Sequence, residues 1–190
     1  MDKFTKMIKE KGVKVDDTDN ILYQEGPVKI VKFEDWSILV EKDAIVCIPY
    51  LIEQNKIIIR QEYVPTYKFL DDREMYITVL AGSIEESETP EQALIREVEE
   101  EAGIQVRPDF LVEFDSPLFM SKGIAAKYYC CILPLTEMDY EETIARGDGS
   151  KAEELSMSVK VDVKYINTIV PTDTITALML MKIKDYLNIK

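Results

Sequence analysis

The chain has 190 residues, enough for one domain with a sizeable core and a short extra N-terminal element. Its 23 basic and 36 acidic residues give a net charge of −13, which argues against broad binding to nucleic acid or to anionic membranes. Histidine is absent, so Ser-His and Cys-His nucleophile pairs, His-ligated zinc and imidazole acid–base chemistry are excluded together. Hydrolytic chemistry would have to run on carboxylates, a metal ion, Lys, Tyr or Cys.

In chain order, Asp2 to Lys14 carries Phe4, Met7, Ile8 and Val13 among lysines and predicts a short amphipathic helix. Asp16, Asp17, Asp19 and Asn20 read as a turn. Ile21 to Tyr23, Val28 to Phe33 and Trp36 to Glu41 read as strands, broken at Gly26-Pro27 and Glu34-Asp35. Residues 1–43 are thus expected to form a small antiparallel element ahead of a main domain over 44–190. Trp36, the single tryptophan, suits either a core or interface anchor or a platform for a base.

Ala44 to Ile52 and Lys56 to Gln61 form a hairpin-like pair about Glu53-Gln54-Asn55, each rich in β-branched residues. Val64 to Glu74 reads as a loop, and Tyr76 to Ala81 as the strand that delivers Gly82. Val106 to Phe114, Ala126 to Leu133 and Val159 to Tyr165 are expected strands, with a polar stretch from Glu137 to Glu154. Thr172-Asp173-Thr174 caps a C-terminal helix whose expected buried face is Ile175, Leu178, Met179 or Met181, Ile183 and Tyr186. Cys130 and Cys131 are adjacent in an apolar run and point to opposite faces of a strand. With Cys47 they read as buried thiols of a reduced, cytoplasmic protein. No signal peptide or membrane anchor is expected.

The stretch GSIEESETPEQALIREVEEEAGI, Gly82 to Ile104, carries the chemistry. Thr89, Pro90 and Gln92 mark a capped helix start, and Gly103 its left-handed end. Glu97, Glu100 and Glu101 stand at i, i+3 and i+4 and share one face, while Ala93, Leu94, Val98 and Ala102 supply an apolar one. Crowded carboxylates repel by a few tenths of a kcal/mol per pair, roughly. Either they form one more solvated acidic face, or a hard divalent cation reverses that sign. A mixed sheet with this helix and the C-terminal one makes an α+β, three-layer α/β/α sandwich.

Gly, five residues, Glu, seven residues, then Arg-Glu-aliphatic-any-Glu-Glu-any-Gly-aliphatic resembles the Nudix box, matched here at Gly82, Glu88, Arg96, Glu97, Val98, Glu100, Glu101, Gly103 and Ile104. The resemblance implies the Nudix fold and a metal-dependent pyrophosphohydrolase. It implies Glu97, Glu100 and Glu101 as catalytic metal ligands with the Ala81 carbonyl, and Mg²⁺, or else Mn²⁺, as the ion. Gly82, Glu88, Arg96 and Gly103 are then structural, with Arg96 pairing to Glu88. Outside the box, Ile59-Arg60-Gln61-Glu62-Tyr63, Thr78-Val79-Leu80-Ala81-Gly82 and Ile169 to Leu178 resemble the ADP-ribose pyrophosphatase branch. Thr78, Leu80, Leu118 and Lys122 depart from that branch's pattern, so its substrate is one expectation among several. ADP-ribose or a related nucleotide sugar leads. A GDP-sugar, a dinucleotide, a nucleotide cofactor and a non-catalytic sensor of nucleotide sugars are the alternatives. Expected substrate contacts are Arg60, Trp36, Ser121 and Lys122; for Arg60 a surface ion pair is the competing reading. Glu154, and next to it Glu153, are candidate general bases on a late loop, against the reading of a loop tip without chemistry. The same branch implies a homodimer built through residues before Ala44.

Overall fold

The computed structural model describes residues 21–25, 28–71, 73–107, 109–147, 149 and 154–189. The helix expected over Asp2 to Lys14, the Asp16 to Asn20 turn and the Gly26-Pro27 break lie outside them. So does Glu153.

Two larger sheets and a two-stranded one organise the described residues. The first contains β1 (Ile21–Glu25), β2 (Val28–Phe33) and β3 (Trp36–Val40) as an antiparallel meander, closed by β9 (Ile124–Ala125), which lies parallel to β3. Glu34 takes a left-handed conformation in the β2–β3 turn, φ 52°.

The second sheet is mixed. Strand β4 (Ala44–Leu51) runs parallel to β10 (Tyr128–Leu135), and β5 (Lys56–Glu62) runs antiparallel to β12 (Met157–Asp162). Strands β4 and β5 pair only at their hairpin end, at Tyr50–Ile57 and Leu51–Lys56. Beyond it β6 (Tyr76–Thr78) pairs with β5, and β7 (Leu80–Ser83) pairs with β4. The chain thus changes partner across Val79 on its way into the glycine. Helix α2 (Pro90–Ala102) packs on one face and α3 (Thr174–Tyr186) on the other, giving the three layers that the sequence predicts.

Alternation along the strands divides the core. Ile45, Cys47, Ile58, Leu80, Cys131 and Leu133 pack with Leu94 and Val98 of α2. Val46, Ile48, Ile57, Ile59 and Cys130 pack with Met179, Leu180 and Ile183 of α3. Cys130 and Cys131 face opposite layers as expected, and all three thiols are free and buried. Burial raises the Cys47 and Cys131 pKa values well above the thiol norm, so both stay protonated and inert.

Several elements differ from expectation. Residues placed in a loop from Val64 form a short helix, α1 (Pro65–Asp71), started by Val64, whose carbonyl accepts from the Tyr67 and Lys68 amides. The strand expected over Val106 to Phe114 stops at Val106. Strand β8 (Ile104–Val106) pairs with β11 (Tyr140–Glu142), a strand hidden in the polar stretch. After it the Arg107 amide donates to the Asp139 carbonyl and the chain turns, the Phe110 amide donating to Arg107. Strand β12 ends at Asp162, and Val163–Thr168 coils into a 3-10 helix. On α3 the buried residues are Thr176, Met179, Leu180 and Ile183; Met181 and Tyr186 are exposed.

Candidate catalytic site

Helix α2 begins as its sequence dictates. The Thr89 hydroxyl accepts from the Gln92 amide at 3.3 Å, the Gln92 side chain accepts from the Thr89 amide at 2.9 Å, and Pro90 occupies the first turn. Thirteen residues later Gly103 ends it in the left-handed region, φ 62°. Ala93, Leu94 and Val98 are buried against the sheet, and this fixes the rotation of the helix. Glu97 is thereby turned against Gly82 of β7, Glu100 toward Arg96 and Glu101 toward Arg60 of β5.

Arg96 sits among the carboxylates. Its Nε donates to Glu88 Oε1 at 2.7 Å and its Nη2 to Glu88 Oε2 at 3.0 Å, a two-pronged pair. Nη1 donates to Glu97 Oε1 at 2.7 Å and to Glu100 Oε2 at 3.0 Å, while Nη2 also reaches the Ser83 carbonyl at 3.0 Å. One planar fork therefore ties the loop before α2, the end of β7 and two box glutamates together. The Arg96 bonds hold the Glu88 carboxyl below the usual carboxylate range. The brace is thus fully charged at neutral pH and weakens only as the pH falls through that lowered value.

Glu101 takes its cation from the sheet. Arg60 Nη1 on β5 lies 3.4 Å from Glu101 Oε1, and both side chains are almost fully buried, 2% and 6% exposed. The guanidinium expected at a diphosphate, or else in a surface ion pair, is instead inside the protein. From β12 the Ser158 hydroxyl donates to the Glu101 carbonyl at 2.7 Å.

Gly82 completes the arrangement. A Cβ there would stand 2.0 Å from the Glu97 carboxyl carbon, so the bare backbone is what admits this carboxylate against β7. Oxygen-only donors from Glu97, Glu100 and Glu101, on the helix that follows Ala81 and Gly82, suit a hard divalent cation. Among the described residues no three carboxylate or thiol side chains already converge as a ligand set. Arg96 pairs with Glu97 and Glu100, and Arg60 with Glu101. Gly82→Ala should lower kcat by on the order of 10²-fold, since the Glu97 carboxylate must move by an ångström or more. Its melting temperature should stay close to wild type, because the clash falls on the flexible end of a side chain. Steady-state kinetics and a thermal melt check both halves.

The remaining expected site residues are spread more widely. Ser121 and Lys122 are exposed in the turn before β9; the Ser121 hydroxyl accepts from the Gly123 amide at 3.1 Å. The Gly123 carbonyl in turn accepts from the Leu39 amide of β3, the strand that begins with Trp36. Trp36 therefore belongs to the first sheet and is 55% exposed, and Ser121 and Lys122 lie in the turn that leads into its strand β9. Glu154 is exposed just ahead of β12.

Two anchors on this late segment escape a reading of the sequence. The Arg146 and Gly147 amides donate to the Glu100 carbonyl at 3.1 and 3.0 Å, and the Thr143 amide donates to the Gly103 carbonyl at 2.7 Å. Downstream, the Ser156 hydroxyl accepts from the Tyr63 amide, and Ser158 holds Glu101 as above. These contacts join residues tens of positions apart, each with a backbone atom on at least one side, and leave no motif.

A family model for the NUDIX domain matches residues 42–162. No curated protein matches the sequence. Among solved structures the fold is similar to one described as an ADP compounds hydrolase. That match has a TM-score of 0.63 at 15% identity, covering 88% of this chain and 93% of the other.

Proposed function

Because the chain belongs to the NUDIX family, we propose that it hydrolyses the diphosphate bond of a nucleoside diphosphate linked to a further group, with ADP-ribose or a related nucleotide sugar as substrate. The observation that carries this reading is the set of three glutamates on one face of α2, braced by Arg96 and Arg60 beside the side-chain-free Gly82. The choice of an ADP-linked substrate rests on the resemblance of Ile59 to Tyr63, Ala81-Gly82 and Ile169 to Leu178 to the ADP-ribose pyrophosphatase branch, and agrees with the description of the similar solved structure.

In this reading Glu97, Glu100 and Glu101, with the Ala81 carbonyl, hold Mg²⁺ or Mn²⁺, which when bound makes water acidic and neutralises charge on the diphosphate. The rest is done by the chain. Arg96 keeps Glu97 and Glu100 in register with the box loop. Glu88 keeps Arg96 oriented. A separate base is required, because carboxylates occupied by a divalent ion have lost the basicity to take a proton. Glu154, with Glu153 beside it, is the candidate. Its segment is tied on both sides to the last turn of α2, through the Glu100 carbonyl upstream and the Glu101 carbonyl downstream. Glu154→Gln or Glu153→Gln should lose kcat by about 10²-fold or more while KM and Mg²⁺ affinity stay near wild type. Two unimpaired variants would remove the base from this loop.

We also propose a homodimer formed through β1–β3, where Ile21, Leu22, Tyr23 and Trp36 leave large apolar side chains exposed. Light scattering at micromolar concentration should give twice the mass of 21.9 kDa; a single-chain mass would contradict it. The function itself is tested by incubating the protein with Mg²⁺ and a panel of nucleoside diphosphate sugars, dinucleotides and nucleotide cofactors. ADP-ribose should yield AMP and ribose 5-phosphate. Binding without any cleavage across the panel would turn the reading toward a sensor.

A further inference from the structure

We infer that Arg60 is a positioning residue: buried in the sheet under the last turn of α2, it holds the Glu101 carboxylate in place and does not itself meet the substrate. The inference rests on the metal-binding role proposed for Glu101. Along β5, Ile57 and Ile59 face the α3 layer and Ile58 the α2 layer, so alternation turns Arg60 toward α2. Its cross-strand neighbours are Thr78 on β6 and Ser158 on β12. Ser158 fixes the Glu101 backbone and Arg60 faces the Glu101 side chain, so one transverse row of the sheet grips both ends of the residue.

Stability does not account for such a cation. An arginine remains charged when buried, and an ion pair in a sheet interior is commonly no more stable than apolar residues of equal volume. At 2% exposure its guanidinium offers little surface to phosphate oxygens. What the pair does provide is orientation. Arg96 holds Glu97 and Glu100 from the loop side, and Arg60 holds the third carboxylate from the sheet side. A residue that orients a ligand typically changes metal affinity or activity by about 10–100-fold when it is lost.

The test uses Arg60→Met and Arg60→Lys in the full chain, with Mn²⁺ as the probe. Free Mn²⁺ is titrated by electron paramagnetic resonance without substrate, and kcat and KM are then measured with ADP-ribose. Arg60→Met should bind Mn²⁺ about 10–100-fold more weakly and lose kcat while KM stays within a few fold of wild type. Arg60→Lys keeps the charge without the planar fork and should fall between; it carries the test should Arg60→Met fail to fold. A raised KM with kcat and Mn²⁺ affinity intact would make Arg60 a substrate contact and overturn the inference. Tighter Mn²⁺ binding in either variant would also overturn it, by making Arg60 a competing cation. Wild type that binds no Mn²⁺ refutes the proposed site and this inference together. Wild type and variants that bind Mn²⁺ equally refute this inference alone.

Discussion

Glu100→Gln and Glu101→Gln should each lower kcat by two or more orders of magnitude, yet the two variants should part in stability. Two orders correspond to about 3 kcal/mol of transition-state stabilisation. In a chain without histidine little else can replace a carboxylate that holds the ion. On sequence grounds alone both changes would relieve like-charge repulsion and leave the melting temperature no lower. The structure separates them. Glu100 is a third exposed and shares Arg96 with Glu88 and Glu97, so losing its charge should shift stability by only about 0.5 kcal/mol. Glu101 is buried and faces a buried guanidinium, so its amide should cost about 2 kcal/mol or more. At this chain length that lowers the melting temperature by several degrees, roughly 2–4 °C per kcal/mol. Kinetics at saturating Mg²⁺ with metal-free melts of both variants test this. Near-normal kcat in both would remove the box from the chemistry, and equal melting temperatures would remove the Arg60–Glu101 pair.

Gly103→Ala should destabilise the protein by about 3 kcal/mol. Its φ of 62° costs a residue with a side chain about 1–2 kcal/mol. The added Cβ would also stand 2.6 Å from the Thr143 carbonyl oxygen and 2.7 Å from the Ala145 nitrogen. Both are backbone atoms of the segment that anchors on Glu100 and Gly103, so they cannot rotate away as a side chain would. The segment would have to lift off α2, and with it the tether of Glu154. A melting temperature lower by about 6–12 °C and a reduced kcat are expected together. A variant that melts like wild type would show that the 143–147 segment does not hold this contact in solution.

How far the sequence reaches depends on whether a residue's task is local. The α2 start, its end at Gly103 and the shared face of the glutamates are set within a few residues, and the chain reads them out plainly. The Arg96–Glu88 bond spans eight positions and is legible because the box spacing encodes it. Strands β2 to β5 follow from runs of branched residues between turns. By contrast α1 exposes Phe69 and Leu70, so no apolar periodicity announces it. Helix α3 is apolar nearly all round, and which side is buried is chosen by the sheet and by the Asp173 cap rather than by the helix's own pattern. Arg60 shows the limit most clearly. A lone arginine at a strand end looks like a solvent-facing cation, and only pairing β5 between β6 and β12 places it under Glu101.

The central claim, metal-dependent attack of water on a diphosphate, is met most directly by one measurement. ADP-ribose is incubated with the protein and Mg²⁺ in ¹⁸O-labelled water, and the products are weighed by mass spectrometry. One ¹⁸O atom should appear in either AMP or ribose 5-phosphate, and EDTA should abolish turnover. Intact ADP-ribose after prolonged incubation, or cleavage that proceeds unchanged in EDTA, would contradict it.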